Sequence, residues 1–123
     1  MLRELEGVRQ RKGEPRRRWF TDNEHDLIVW FDPDESIRGF QFCYDRRRNE
    51  FAVTWMSTDG YTHEQVQHGA GGYDRLSVLV PSDLRMPGEI PDRFREVAQG
   101  IDLGLAEFVY YKLIDFERSS ALR

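Results

Sequence analysis

Apolar and polar residues alternate along five stretches of the first 68 residues, and turn-forming residues separate each stretch from the next. The alternation has the period of two that a β-strand with one buried side requires. It predicts strands over residues 16–21, 26–32, 37–45, 50–57 and 61–68. The connections between them are short, and Pro33 and Gly60 fit two of the turns. The pattern therefore predicts an antiparallel β-meander.

One pairing register brings the apolar positions of these strands together on one surface. Pairing Asp32 with Ile37 and Asp45 with Glu50 predicts the opposed pairs Leu27–Phe42, Val29–Phe40, Phe42–Val53 and Phe40–Trp55. The turn at residues 22–25 places Phe20 opposite Leu27. A shift of one residue would divide the apolar set between two surfaces. We call the apolar surface face A, and it comprises Phe20, Leu27, Val29, Phe40, Phe42, Tyr44, Phe51, Val53 and Trp55.

The last quarter of the chain changes to helical spacing. Pro91 suits the first turn of a helix and Gly100 suits its end. Asp102 can cap a second helix, in which apolar residues recur every three or four positions: Leu105, Phe108, Val109, Leu113 and Phe116. Strands followed by helices predict an α+β fold with about five strands and two C-terminal helices packed on face A.

A length of 123 residues fits a single domain. Within it we expect an N-terminal segment over residues 1–13 and the sheet over residues 16–68. An irregular connection with a short strand then covers residues 69–90, and the two helices cover residues 91–118. Aromatic residues make up 13% of the chain, enough for a core despite the 33% of charged residues.

The opposite surface of the sheet, face B, mixes apolar and polar residues. It comprises Arg17, Trp19, Asp26, Ile28, Trp30, Gly39, Gln41, Cys43, Ala52, Thr54, Met56, Thr62, Glu64 and Val66. A fully solvated surface of an antiparallel sheet is more uniformly polar. We therefore expect a partial cover, which is the segment 1–10, a strand at 76–80, a second subunit or a ligand.

A ligand cleft on face B would have the apolar walls and few convergent polar groups of a small-molecule site. Its candidate residues are Arg17, Trp19, Trp30, Gln41, Cys43, Thr54 and Glu64. Gly39 lacks a side chain opposite Trp30, which leaves room for the indole or for a ligand lying on it. Arg17, the other neighbour of Trp30, can stack on the ring.

Histidine and cysteine, which often act in catalytic and metal sites, are present, but their spacing does not bring them together. His63 and His68 are five residues apart, so they point to opposite faces of a strand and diverge by about 140° on a helix. Cys43 lies on face B without a histidine in hydrogen-bond reach, and a cysteine in mid-strand is usually a small buried apolar residue. We predict no catalytic residue, no metal site and no cofactor.

Charge and cysteine content bear on the protein's partners and its cellular location. The net charge is −4, yet residues 1–20 hold seven Lys/Arg and three Glu. A basic segment on an acidic body pairs with its own fold or with a sister subunit, or contacts nucleic acid or a membrane. One cysteine and no long apolar run favour a cytosolic protein that does not span a membrane.

Two arginine runs, at residues 16–18 and 46–48, raise the question of nucleic-acid binding. Neighbouring residues of a strand point to opposite faces, so Arg16 and Arg18 would separate from Arg17. The second run lies in a turn at the end of the sheet. This dispersal makes nucleic acid an unfavoured partner.

The strings RRRWF, DLIVWFD and GFQFCYD, at residues 16–20, 26–32 and 39–45, resemble a set of small bacterial proteins of unknown function. The resemblance covers roughly residues 14–61. It implies a bacterial, cytosolic protein and nothing about a substrate.

Together these patterns favour a non-enzymatic binding domain that self-associates as a homodimer, through face B or an edge of the sheet. The alternative is a small-ligand binder or an enzyme that uses the Trp-lined cleft on face B.

Overall fold

A computed structural model describes residues 1–67 and 78–121 of the chain. Its sheet contains β1 (Arg3–Glu4), β2 (Arg16–Thr21), β3 (Asp26–Phe31), β4 (Ile37–Tyr44), β5 (Phe51–Met56), β6 (Gly60–Gln67) and β7 (Val78–Pro81). The helices are α1 (Ile90–Val97) and α2 (Leu103–Ala121). All strand pairs are antiparallel and follow the order of the sequence. The predicted α+β class with an antiparallel meander is confirmed.

The predicted strand count of about five is wrong, because the sheet has seven strands. The two additional strands lie at its edges, where β1 pairs with β2 and β7 pairs with β6. β1 has only two residues, too few for a visible alternation of apolar and polar positions. The loop at 68–72, His68 and the first two residues of the strand predicted at 76–80 lie outside the described residues.

The predicted register is present at every pair listed for face A, including Val29 opposite Phe40 and Phe42 opposite Val53. The end of the β3–β4 hairpin differs from the prediction. Ile37 pairs with Phe31 rather than Asp32, because a β-bulge follows Trp30. A bulge changes the pairing locally without moving the apolar residues of face A to the other side.

Face A carries the main core. One cluster joins it to apolar residues of both helices, including Phe94 of α1 and Val109 of α2. The Phe94 ring meets Phe42 edge-on, with centroids 5.1 Å apart. α1 ends at Val97, before the Gly100 that the sequence indicated, and α2 follows after a short turn.

Candidate functional site

Face B is formed by alternate residues of β2 to β6, on the side of the sheet opposite the core cluster. Its central apolar residues are half-buried: Trp19, Ile28, Trp30 and Met56. A second, smaller cluster joins Cys43, Ala52 and Val66, which are buried. Face B is thus closed at one end and partly open around its two tryptophans.

The space beside Gly39 is filled by Met56. A β-carbon added at Gly39 would collide with the Met56 sulfur and lie 2.6 Å from the carbonyl oxygen of Trp55. Trp30 does lie opposite Gly39, as the register predicts. The missing side chain makes room for the thioether rather than for the indole or a ligand.

Arg17 is opposite Trp30 in the register but its guanidinium lies over Trp19, 5.7 Å from the ring centroid. The expected stacking on Trp30 is replaced by this contact. Its Nε donates a hydrogen bond of 3.0 Å to the carbonyl oxygen of Arg9, and this bond turns the side chain toward the N-terminal segment.

The polar groups at the centre of face B contact one another. Gln41 Nε2 donates to Thr54 Oγ1 at 3.1 Å, and the Cys43 thiol lies 3.8 Å from Gln41 Oε1. Trp19 Nε1 donates to Asp26 Oδ1 at 3.2 Å. Because these groups already have hydrogen-bond partners, a polar ligand would add little net hydrogen-bond energy.

Cys43 is held as a neutral thiol. Burial raises its pKa well above the ordinary value, and the negative charges of Glu50 and Asp26 add to the effect. The side chain is 8% exposed. Because the nucleophile in cysteine chemistry is the thiolate, this environment does not prepare Cys43 for catalysis.

The structure does not bring Arg17 and Glu64 together. Arg17 is on β2 and Glu64 is on β6, so four strand spacings of about 4.8 Å separate them by about 19 Å across the sheet. Glu64 instead accepts a hydrogen bond from Thr62 Oγ1 at 3.2 Å. One small molecule would not reach both edge residues of the predicted cleft.

A histidine–tyrosine pair on face A was not predicted from the sequence. His63 Nδ1 lies 2.8 Å from the carbonyl oxygen of Leu84, and its Nε2 lies 2.6 Å from Tyr44 Oη. A carbonyl oxygen only accepts, so Nδ1 carries the proton and Nε2 accepts from the tyrosine. Burial lowers the His63 pKa and raises the Tyr44 pKa, which keeps both groups neutral.

The His63 ring is enclosed by aromatic side chains. It stacks on Phe51 with centroids 5.1 Å apart and lies 6.3 Å from Phe116 of α2. A concavity of about 490 Å³ borders it, lined also by residues 82–86. Because both ring nitrogens are occupied, the pair supports the packing of the segment at 82–86 rather than proton transfer to a substrate. Only the tertiary structure brings Leu84 to this position, so no sequence pattern indicated it.

Asp22 and His25 form a second contact pair, in the turn between β2 and β3. The Asp22 carboxylate accepts hydrogen bonds from the backbone N–H groups of Glu24 and His25 and lies 2.9 Å from His25 Nδ1. Burial alone would raise the Asp22 pKa, but these hydrogen bonds outweigh it and lower the pKa. His25 Nε2 is buried without a hydrogen-bond partner in the described part of the chain. The pair therefore orders the turn and offers no accessible base.

Neither a metal site nor a spanning helix is found in the residues that the structure describes. No three His, Cys, Asp or Glu side chains there are grouped to hold a metal ion. Neither described helix combines the length and apolar content needed to cross a bilayer.

Comparison with known proteins adds no relative to this picture. The chain matches no protein-family model, no curated protein and no solved structure.

Proposed function

We propose that this chain is a non-enzymatic interaction domain of the cytosol that self-associates by packing face B against face B of a second copy. The observation that carries the proposal is the contrast between the two sides of the sheet. Helix residues join the core on face A, whereas Trp19, Ile28 and Trp30 on face B stay half-buried. Neighbouring apolar side chains that lie outside the main core and keep part of their surface exposed are candidates for an interaction site.

A second copy suits face B better than a polar small molecule does. The surface is a sheet, and two sheets pack face to face about 10 Å apart through interlocking apolar side chains. Asp26 is paired with Arg46 Nε at 3.4 Å and with Trp19, so the main charge inside the face is already compensated. A two-fold axis over β4 would bury the same residues on both copies.

The size of face B predicts a weak dimer. Five strands and about six residues along each give a surface of roughly 20 Å by 20 Å. That is smaller than the roughly 800 Å² that each partner buries in a standard interface. We therefore expect dissociation in the micromolar range or above.

Sedimentation across a range of concentrations tests this proposal. We expect the mass to rise from 14.6 kDa toward twice that value as the concentration increases. Ile28→Glu and Thr62→Arg introduce charge on face B and are expected to abolish the rise. Thr62 is exposed, so its substitution is compatible with folding, which circular dichroism checks.

Leu103→Glu provides the matched control, because Leu103 is 74% exposed on α2, away from face B. This variant is expected to dimerise like the original chain. A protein that stays monomeric up to millimolar concentration would overturn the proposal. If the Trp fluorescence of that monomer then responds to a metabolite and Trp30→Phe removes the response, the alternative of a small-ligand site on face B is favoured.

A further inference from the structure

Five residues surround a concavity of about 580 Å³ beside β2: Arg9, Gln10, Arg11, Lys12 and Arg17. We call this concavity the arm site. Four of its five residues carry a positive charge, and three of those come from the N-terminal segment. The segment is a basic stretch in the sequence, and the structure places it beside β2.

Gln10 holds the segment against the outer edge of β2. Its Oε1 accepts a hydrogen bond from the Arg17 N–H at 2.9 Å, and its Nε2 donates to the Arg17 carbonyl oxygen at 2.9 Å. One side-chain amide thus satisfies the two backbone groups that a neighbouring strand would pair. The bond from Arg17 Nε to the Arg9 carbonyl adds a third link. The arm site is therefore built by specific contacts between the segment and the sheet.

The turn after Gln10 keeps the next two cations beside this edge. The N–H of Glu14 donates to the Arg11 carbonyl oxygen at 3.1 Å, and Gly13 has a φ of 84°, which favours glycine. The Glu14 carboxylate makes no ion pair with any described residue. The turn brings the positive charges near Arg17 without neutralising them.

The four cations have no carboxylate partner among residues 1–67 and 78–121. Their immediate neighbours do have partners, since Arg16 pairs with Glu35 and Arg18 pairs with Glu4 and Asp102. Like charges held close together repel one another. Because these unpaired cations line one concavity, they are free to contact a bound anion, and they form a local positive region on a chain whose net charge of −4 otherwise repels anions.

We propose that the arm site binds a small anion that carries two or more linked phosphate groups. Arginine guanidinium groups bind phosphate through paired N–H donors, and a lysine adds a compact charge. The volume is that of a small-molecule site. A nucleic-acid strand would need further free cations along its path, but Arg16 and Arg18 are committed to carboxylates. Trp19, under the Arg17 guanidinium, supplies a fluorescent reporter of binding.

Calorimetry with sodium tripolyphosphate at low salt tests the proposal, with Trp fluorescence as a second readout. We expect saturable binding that weakens as salt increases. The triple variant Arg9→Ala, Arg11→Ala, Lys12→Ala is expected to lose at least tenfold in affinity. Gln10→Ala changes no charge, and we expect a loss of about threefold or more because it releases the segment from β2.

A triple variant with the same change of net charge serves as control: Arg47→Ala, Arg48→Ala and Arg118→Ala. These residues are exposed and lie outside the arm site, so affinity should change less than twofold. No binding of tripolyphosphate by the original chain would overturn the proposal. Equal weakening in both triple variants would also overturn it, since that result indicates diffuse electrostatic attraction.

Two further ligands distinguish the source of the phosphates. Tighter binding of a nucleoside triphosphate than of tripolyphosphate would assign the site to nucleotides, and equal binding would assign it to inorganic chains. Affinity for single-stranded DNA that increases with length, without competition by tripolyphosphate, would replace the proposal with nucleic-acid binding. The arm-site variants leave Ile28 and Thr62 intact, so failure here is separable from failure of face B dimerisation.

Discussion

The two faces of one sheet are made by alternate residues of the same strands, yet they are packed very differently. On face A, Leu27, Val29 and Phe42 have no exposed surface, and helix side chains complete their surroundings. On face B, Ile28 and Trp30 are half-buried, although they are equally apolar. The comparison shows that apolar side chains on both faces would gain free energy from burial. On face A, the helices that pack against the sheet complete that burial.

The largest expected difference between the faces is in the cost of removing an apolar side chain. Phe42 is in contact with Phe94 of α1 and stacks on His25. Phe42→Ala is expected to lower the free energy of unfolding by about 3–5 kcal/mol, because it leaves a cavity in a closed core. Ile28→Ala on face B should cost less, about 1–2 kcal/mol, because it removes fewer atoms and its site is only half-buried. Urea denaturation of the monomer measures both, and equal costs would contradict the comparison.

A smaller loss of stability is expected for a substitution at Gly39, because Met56 on the neighbouring strand packs directly against this glycine. Gly39→Ala would push a methyl group into the Met56 sulfur and toward the Trp55 carbonyl oxygen. Overpacking of this kind costs about 1–3 kcal/mol. In a Met56→Ala background the cost of Gly39→Ala should be smaller, because the thioether is gone and only the backbone contact remains. A double-mutant cycle of unfolding free energies tests this coupling, and an unchanged cost would show that Met56 does not fill the space.

The smallest expected effect concerns the pH dependence of the face A packing at His63. Burial lowers the His63 pKa below its ordinary value, against a smaller opposing effect of the Leu84 carbonyl. The unfolded chain therefore takes up the proton first as pH falls. The contribution of neutral His63 to stability is present above about pH 6.5 and is lost as pH falls from there through the folded pKa.

Urea denaturation at pH 7.5 and 5.5 checks this expectation. The original chain should lose more stability between the two values than His63→Gln, which has no proton to gain. Equal losses in both proteins would show that other groups determine the acid sensitivity.

The three consecutive arginines of β2 also differ between the two faces. Arg16 and Arg18 point toward face A and reach Glu35, Glu4 and Asp102. Arg17, between them, points to face B and contacts Trp19 and the N-terminal segment. Strand alternation alone predicted this separation. The cations that join Arg17 come from Arg9, Arg11 and Lys12, and strand alternation says nothing about them.

Most of the central sheet was predictable because each of its hairpins is local. In the β3–β4 and β4–β5 hairpins, a short turn fixes which residues are opposite, and only one register keeps the apolar residues on one side. The pairing near Phe31 was missed because a bulge inserts one residue without changing that pattern. The edge strand β1 was missed because it depends on a distant partner, β2, rather than on its own two residues.

Local sequence patterns are enough to specify the α+β class, the meander and the division of the strand residues between face A and face B. These follow from interactions between residues close in the chain and from the period of two in the strands. Three contacts depend on the folded arrangement instead: Met56 fills the space at Gly39, Leu84 orients His63, and Gln10 holds the basic segment on β2. Such contacts join residues far apart in the sequence, and the geometry that selects them exists only after the sheet and helices have packed.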